Sequence, residues 1–286
     1  MSRGKSKPKN NIVTVSKPEN TFYGRIESYY DEDAGDFDNR YWQNPVLQRI
    51  RQDFREEVKR HAFTRMLEIG CGTGLDLVHF GKTQSGVSVA GIDISESMKS
   101  IAQEKIRNEK LENVTVKKGS VEDIGSLFPE ERFDMIYVFF GALNTVEDLE
   151  KAAAILHRIT MDGGKLVLTF VNKYYIAGML IEMLKLRFGA AFSRLKPQWG
   201  GYSPARHLPG RCYSPRQIKK AFARFGLIRQ QGYSIVHPAW YYRRLNRMPE
   251  RVRGALWRTD LLLRKTPFWK YGEYTLFVFE KPGHIG

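Results

Sequence analysis

The chain has 286 residues, 42% of them hydrophobic and 27% charged, and a formal net charge of +15. That size supports a sizeable core without staples, and the composition excludes a disordered or collagenous chain. Two cysteines, Cys71 and Cys212, exclude a disulfide framework and point to a reducing cytoplasm.

Residues 1–20 hold Arg3, Lys5, Lys7, Lys9 and Lys17 with little apolar content, which predicts a flexible basic arm and no secretory leader. Residues 21–286 are expected to form a single domain. From Tyr41 to His61, Trp42, Val46, Ile50, Phe54 and Val58 recur four apart, a one-faced helix. An αβ alternation follows. Arg65–Ile69 reads as a strand, Leu75–Lys82 as a helix and Ser88–Ile92 as a strand. Ser95 caps a helix running to Asn108, and Val114–Lys118 is a third strand. Phe133–Phe139 is an apolar run suited to a strand covered on both faces. Val146–Ile159 is helical, and Lys165–Phe170 follows a Gly163-Gly164 turn as the fifth strand.

The rhythm then breaks into an insert at 171–212. Its longest apolar run, Tyr174 to Leu186, is shorter than a spanning helix requires and contains Glu182 and Lys185. Ser214-Pro215-Arg216-Gln217 has capping-box spacing and starts a helix to Phe225. Leu227–Val236 is strand-like, 238–272 is a second insert, and Tyr274–Phe279 is a last strand that could join one sheet edge antiparallel. Residues 171–286 carry 22 Lys+Arg against 5 Asp+Glu, so this part accounts for the net charge. Such asymmetry points to an anionic partner or to a solvated basic face.

The stretch richest in chemistry is Glu68-Ile69-Gly70-Cys71-Gly72-Thr73-Gly74, a strand end followed by three alternate glycines and a helix start. A glycine turn lets a ligand approach the backbone N–H groups. A dinucleotide fingerprint would need Gly or Ala where Leu75 stands. Glu68 would repel a pyrophosphate and suits a cationic ligand. Asp93, 19 residues after Gly74 at the end of the next strand, is placed to accept from ribose hydroxyls, although it also lies near the following helix cap.

These residues resemble the class I S-adenosylmethionine-dependent methyltransferases, whose first motif is an acid two residues before G-x-G-x-G and whose second is an acid after the next strand. The resemblance implies an α/β, Rossmann-like, doubly wound seven-stranded sheet, mostly parallel with an antiparallel last strand. Helical inserts would cover the C-terminal ends of the strands. It implies S-adenosylmethionine as cofactor, held by Glu68, Gly70, Cys71, Gly72, Gly74, Asp93, Ile94 and Met98. Ser120, Val121 and Glu122 complete the adenine side, and Phe140 lines the pocket. Ser120 stands where the family usually has Asp, and it accepts more weakly because it is neutral. The fourth-strand exit, Phe139 to Asn144, lacks the Asn/Asp-Pro-Pro-aromatic tetrad of nucleobase amino methylases. It also lacks the acids of metal-dependent catechol-type enzymes, so no metal is expected. It looks like the loop of small-molecule methylases related to quinone and lipid methylases.

Tyr23, Tyr29, Tyr30 and Arg40 precede the first strand, where the family folds a lid over the donor, and both Tyr30-Asp31 and Phe37-Asp38 fit that lid pattern. No residue stands out as general base; the candidates are His207, His237 and Tyr30, while His157 reads as surface or core. Ile176, Leu180, Met183 and Leu184 form one apolar stripe, and Val252, Leu256 and Leu263 a second, beside Trp240 to Arg244 and Arg247. Interfacial helices use this mixture. A small acceptor, lipid-like or anionic, met at the inner face of a membrane is the leading expectation. Alternatives are an RNA methyltransferase using the basic half, a non-catalytic donor-binding protein, and inserts that only cap the core.

Overall fold

The computed structural model describes residues 21–203 and 206–283. The expected arm, residues 1–20, lies outside the described residues. Seven strands form one sheet: β1 (Arg65–Ile69), β2 (Ser88–Asp93), β3 (Val114–Lys118), β4 (Phe133–Val138), β5 (Thr160–Val171), β6 (Gly226–Tyr233) and β7 (Tyr274–Glu280). Their order is β3-β2-β1-β4-β5-β7-β6. The first five pair parallel, and β7 runs antiparallel to both β5 and β6.

The last strand therefore departs from the edge position expected of it. Tyr274–Phe279 is buried throughout, whereas β6 is exposed along its first four residues. An uninterrupted run of apolar β-formers suits an interior strand, and the polar Arg229-Gln230-Gln231 stretch suits the edge.

The helices are α1 (Phe22–Trp42), α2 (Pro45–Lys59), α3 (Leu75–Thr83), α4 (Glu96–Asn108), α5 (Ile124–Leu127), α6 (Leu149–Ile159), α7 (Ile176–Leu184), α8 (Phe188–Ala191), α9 (Pro215–Ala221) and α10 (Glu250–Leu263). The helix expected from Tyr41 to His61 is divided. Asn44 accepts from Leu47 N at 3.2 Å, and Pro45 occupies the first helical position, so a new helix starts there. Asp148 accepts from Glu150 N and Lys151 N, which moves the start of α6 past Val146. β5 begins at Thr160 and passes through the glycines expected to turn before it. Gly163 holds φ +75°, and the pairing with β4 shifts register there. The expected caps form: Ser95 accepts from Met98 N at 3.0 Å, and Ser214 and Gln217 close a capping box.

Alternation along the strands divides the core. Leu67, Ile92, Ile136 and Leu166 pack with Leu156 and Phe222 on one face, and Met66, Val89, Met135 and Val167 pack with Phe54, Leu77 and Phe80 on the other. β1 and β4 are neighbours whose chains continue in opposite directions across the sheet. Crevices at the C-terminal ends of strands form at such a reversal. Among the described residues no helix is long and apolar enough to cross a membrane.

Candidate functional site

The crevice is a cavity of about 520 Å³ above the ends of β1, β2 and β4. Its floor is the glycine turn. Gly70 (φ +69°) and Gly72 (φ +54°) are left-handed, a conformation that L side chains rarely adopt. A Cβ on Gly70 would collide with Ala142, so the two loops meet only because neither carries more bulk. Gly74 does not line the cavity. A Cβ there would lie 2.8 Å from Ala102 Cβ, so this glycine seats α3 against α4.

Asp93 ends β2 and lines the cavity with its carboxylate tethered. Gly72 N donates to one oxygen at 2.7 Å and Ser95 N to the other at 3.0 Å. Each oxygen keeps a lone pair for a ligand hydroxyl. Burial pushes its pKa up to about 6, against those two bonds. Cys71 is buried in the same wall. Burial, with the Asp93 and Glu68 carboxylates, pushes its thiol up, so it stays protonated and inert.

Glu68 projects to the α2–α3 side of the sheet, where Tyr137 donates to it at 3.0 Å. Burial, reinforced by the Asp76 carboxylate, pushes the Glu68 carboxyl well above the usual range. Asp76 is itself clamped by Arg51 and by Arg55 at 2.6 Å. A cation at this end of the cavity would draw Glu68 back to its ionised form.

Ile94, Met98, Ser120 and Val121 line the opposite wall. Ser120 Oγ and N both donate to Asp123 Oδ2, at 2.7 and 2.8 Å, so the serine also caps the following turn. Glu122 is turned out of the cavity, contrary to expectation. It accepts from Tyr23 at 3.1 Å and pairs with Lys151 at 3.2 Å. Phe140 both lines the cavity and packs against Phe54 and Tyr274.

α1 holds the residues expected to fold over the donor, and Tyr23, Ile26, Tyr30 and Phe37 of it line the cavity. Asp31 accepts from Ser95 Oγ at 2.5 Å and Ser97 N at 2.9 Å, and Asp38 accepts from Thr73 at 2.5 Å and from Lys105. Both acids therefore clamp α1 across the cavity. Tyr30 lines it, its hydroxyl has no partner among the described residues, and burial raises its pKa. Neither histidine candidate reaches the cavity. His207 is exposed. His237 is buried between β6 and α10, its ring on Trp257 and its Nδ1 2.9 Å from Pro238 O, and burial lowers its pKa. His157 packs on Phe225, away from the site.

The remaining wall comes from the two inserts expected to cover the strand ends and from the start of β7. Trp199, Tyr202, Trp240, Tyr241 and Tyr274 line it, with Arg40, Arg206 and Arg243 toward the mouth. Behind the tyrosines lies Glu273, fully buried. Arg194 pairs with it at 2.8 Å, and Tyr202 donates to it at 2.6 Å. Tyr274 lies 3.2 Å from Tyr202 and accepts from Trp240 Nε1 at 3.1 Å. Since the Tyr202 proton goes to Glu273, Tyr274 donates to Tyr202, and a hydrogen-bonded chain leads from the cavity to a buried carboxylate. Glu273 is one of only five acids after residue 170, and it immediately precedes an apolar strand. Those two facts were the available signal. Among the described residues no group of three or more His, Cys, Asp or Glu is placed to hold a metal.

A family model described as a methyltransferase domain matches residues 39–228. The chain belongs to the class I S-adenosylmethionine-dependent methyltransferases. The methyltransferase is 31% identical over 218 residues to an uncharacterized protein of Methanocaldococcus jannaschii, covering 74% of this chain and 77% of that one. It is 28% identical over 151 residues to the demethylmenaquinone methyltransferase of Alkalihalophilus pseudofirmus, covering 52% of this chain but only 61% of that relative. Among solved structures it resembles geranyl diphosphate C-methyltransferase from Streptomyces coelicolor A3(2), with a TM-score of 0.60, 14% identity and coverage of 93% and 100%. Phosphoethanolamine N-methyltransferase 2 of Haemonchus contortus gives a TM-score of 0.59 at 16% identity, covering 92% of this chain and 60% of that one. At such identities the structural likeness shows the fold alone. The methyltransferase's own geometry fits S-adenosylmethionine: a glycine floor that a Cβ would obstruct, a tethered carboxylate with spare lone pairs, and an apolar wall for a planar base.

Proposed function

We propose that residues 21–286 act as one domain that methylates a small, lipid-like or anionic acceptor in the cytoplasm, met at the inner face of the membrane. The observation that carries the reading is the aromatic wall with arginines at its mouth, continuous with the glycine floor. Planar apolar surface stacks on such a wall, and an anionic group meets Arg243, since Arg40 and Arg206 are both engaged by Asp33. The similarity to a demethylmenaquinone methyltransferase supports an acceptor of this kind.

S-adenosylmethionine supplies a methyl group on a sulfonium whose departure needs little assistance from the protein. Positioning is therefore the main task of the chain. Asp93 would hold the ribose hydroxyls, the side-chain-free floor at Gly70 and Gly72 would let the donor lie close to the chain, and Glu68 would meet its ammonium end. Val121, Ile94 and Met98 would supply the apolar surface for the base, with Ser120 on the same wall. Tyr274 accepts the proton that the acceptor gives up, passes its own to Tyr202, and Tyr202 passes its own to Glu273. Arg194 fixes the position of the Glu273 carboxylate at the end of that chain. Once the product has left, the proton returns along the same chain to water entering the cavity.

Incubation with methyl-labelled donor and a cell extract, fractionated into lipid, soluble metabolite, RNA and protein, tests the reading. Label in the lipid or soluble fraction is expected. Label in RNA or protein overturns the acceptor class, and no label in any fraction points to a donor-binding protein without turnover.

A further inference from the structure

Beside the cavity mouth the first insert presents an apolar surface to solvent. Leu184 at the end of α7 is 86% exposed, Leu186 in the α7–α8 turn 78% and Phe188 at the start of α8 56%. Ile176 and Leu180 on α7 and Phe192 just after α8 are exposed as well. A folded domain normally turns such large side chains inward, and contiguous exposed apolar surface marks a contact site. Leu186 also holds φ +59°, where its N–H bonds Met183 O at 2.9 Å and closes the helix end. That position ordinarily suits glycine or asparagine. Here it carries a leucine that points away from the protein.

The rim of this surface is basic. α7 packs on the second insert: Tyr175 Oη accepts from Ala239 N, Tyr242 donates to Gly178 O at 3.4 Å, and Lys185 lies over the Tyr242 ring. This contact brings Arg243, Arg244 and Arg247 alongside α7. All three are exposed and form no ion pair among the described residues, and Lys196 beyond α8 likewise pairs with none of them. The sole acid between residues 171 and 249 is Glu182, which is occupied by Lys185 and Arg187. Arg243 and its neighbours Trp240 and Tyr241 line the cavity itself, so the apolar surface, the basic rim and the opening are continuous.

We propose that α7, α8 and residues 243–247 form a docking face for an anionic lipid bilayer. Leu184, Leu186 and Phe188 enter the headgroup–acyl boundary, while Arg244, Arg247 and Lys196 pair with headgroup phosphates. Apolar insertion inside a ring of unpaired cations is the pattern that binds anionic bilayers. A self-association face would leave those cations facing one another across the two-fold axis. An RNA face would present arginines and stacking rings without a projecting aliphatic ridge. Docked this way, the cavity opens at the lipid, and an acceptor with a lipid tail need not cross water. The proposal rests on the lipid-like acceptor reading, but its test involves no turnover, so either can fail without the other.

The test is sedimentation of the full chain with vesicles of phosphatidylcholine alone or mixed with phosphatidylglycerol, at low and high salt. The basic residues 1–20 are present in every protein compared, so differences report the face. Binding to the anionic vesicles is expected to exceed binding to the neutral ones at least tenfold and to fall with salt. Leu184→Glu with Phe188→Glu should lower it at least tenfold, and Arg244→Glu with Arg247→Glu should do the same. Thermal midpoint and donor affinity should be unchanged in both doubles. Failure of the parent protein to bind anionic vesicles overturns the proposal. So does equal binding by the Leu184/Phe188 double. A dimer of the parent dissociated by that double assigns the face to a second copy. A single-stranded RNA that binds more tightly than vesicles and is released by the arginine double assigns it to nucleic acid.

Discussion

Replacing Asp93 with Asn keeps the shape of the side chain and removes one acceptor oxygen and the charge. In the native site the two carboxylate oxygens receive Gly72 N at 2.7 Å and Ser95 N at 3.0 Å. The amide can serve only one of these, and it turns an NH₂ toward the other. The lost bond within the protein affects stability, whereas donor affinity loses the bond from a ribose hydroxyl to a charged acceptor, about 1.5–3 kcal/mol. The expected loss of donor affinity is therefore roughly 10-fold to 150-fold. Calorimetry with S-adenosylmethionine reads it directly. The pH dependence gives a second check. Burial holds the Asp93 carboxyl near pH 6, and the ionised form is the better acceptor. Affinity should be steady above about pH 6 and fall about tenfold per unit below it, and the Asn variant should lose that slope. Without donor the sign is opposite. The folded pKa of about 6 exceeds the ordinary 3.8, so the group's contribution to stability is full below about pH 3.8 and is lost as pH rises through 6. That loss amounts to about 3 kcal/mol. Binding of the Asn variant within threefold of the parent, with the parent flat from about pH 5 to 7.5, would refute the ribose role.

Gly74→Val should destabilise by about 2–5 kcal/mol in urea unfolding, because φ +78° disfavours a β-branched residue and its Cβ meets Ala102. Asp31→Ala removes the bonds from Ser95 and Ser97, and limited proteolysis should then cut α1 faster while donor affinity weakens. Tyr202→Phe interrupts the chain from Tyr274 to Glu273 but leaves the Arg194 pair, so label transfer to the acceptor fraction should fall at least tenfold with donor affinity intact. Glu273→Gln leaves the buried Arg194 charge without its partner, and a loss of about 3–5 kcal/mol should appear in thermal melting as well as in transfer.

The sequence by itself determined the donor half of this protein. A short strand, three glycines and an acid on the next strand are all local: each depends on backbone conformation or on the end of one element, and each is readable within about 25 residues. The caps at Ser95 and Ser214 are local in the same sense. Tertiary structure alone decided the acceptor half. Tyr202, Trp240 and Glu273 lie in three different segments, and no periodicity relates them. They meet because β7 enters the sheet between β5 and β6 and folds both inserts over the same strand ends. Burial likewise decided among residues that were equivalent in sequence. His237 was taken up by core packing, Glu122 was turned outward by Tyr23, and Gly74 was assigned to α4 rather than to the ligand. The excess charge after residue 170 was visible from composition. Which of its cations remain unpaired beside an exposed apolar ridge follows only from how α7 packs against residues 239–247, since pairing depends on distance across the fold.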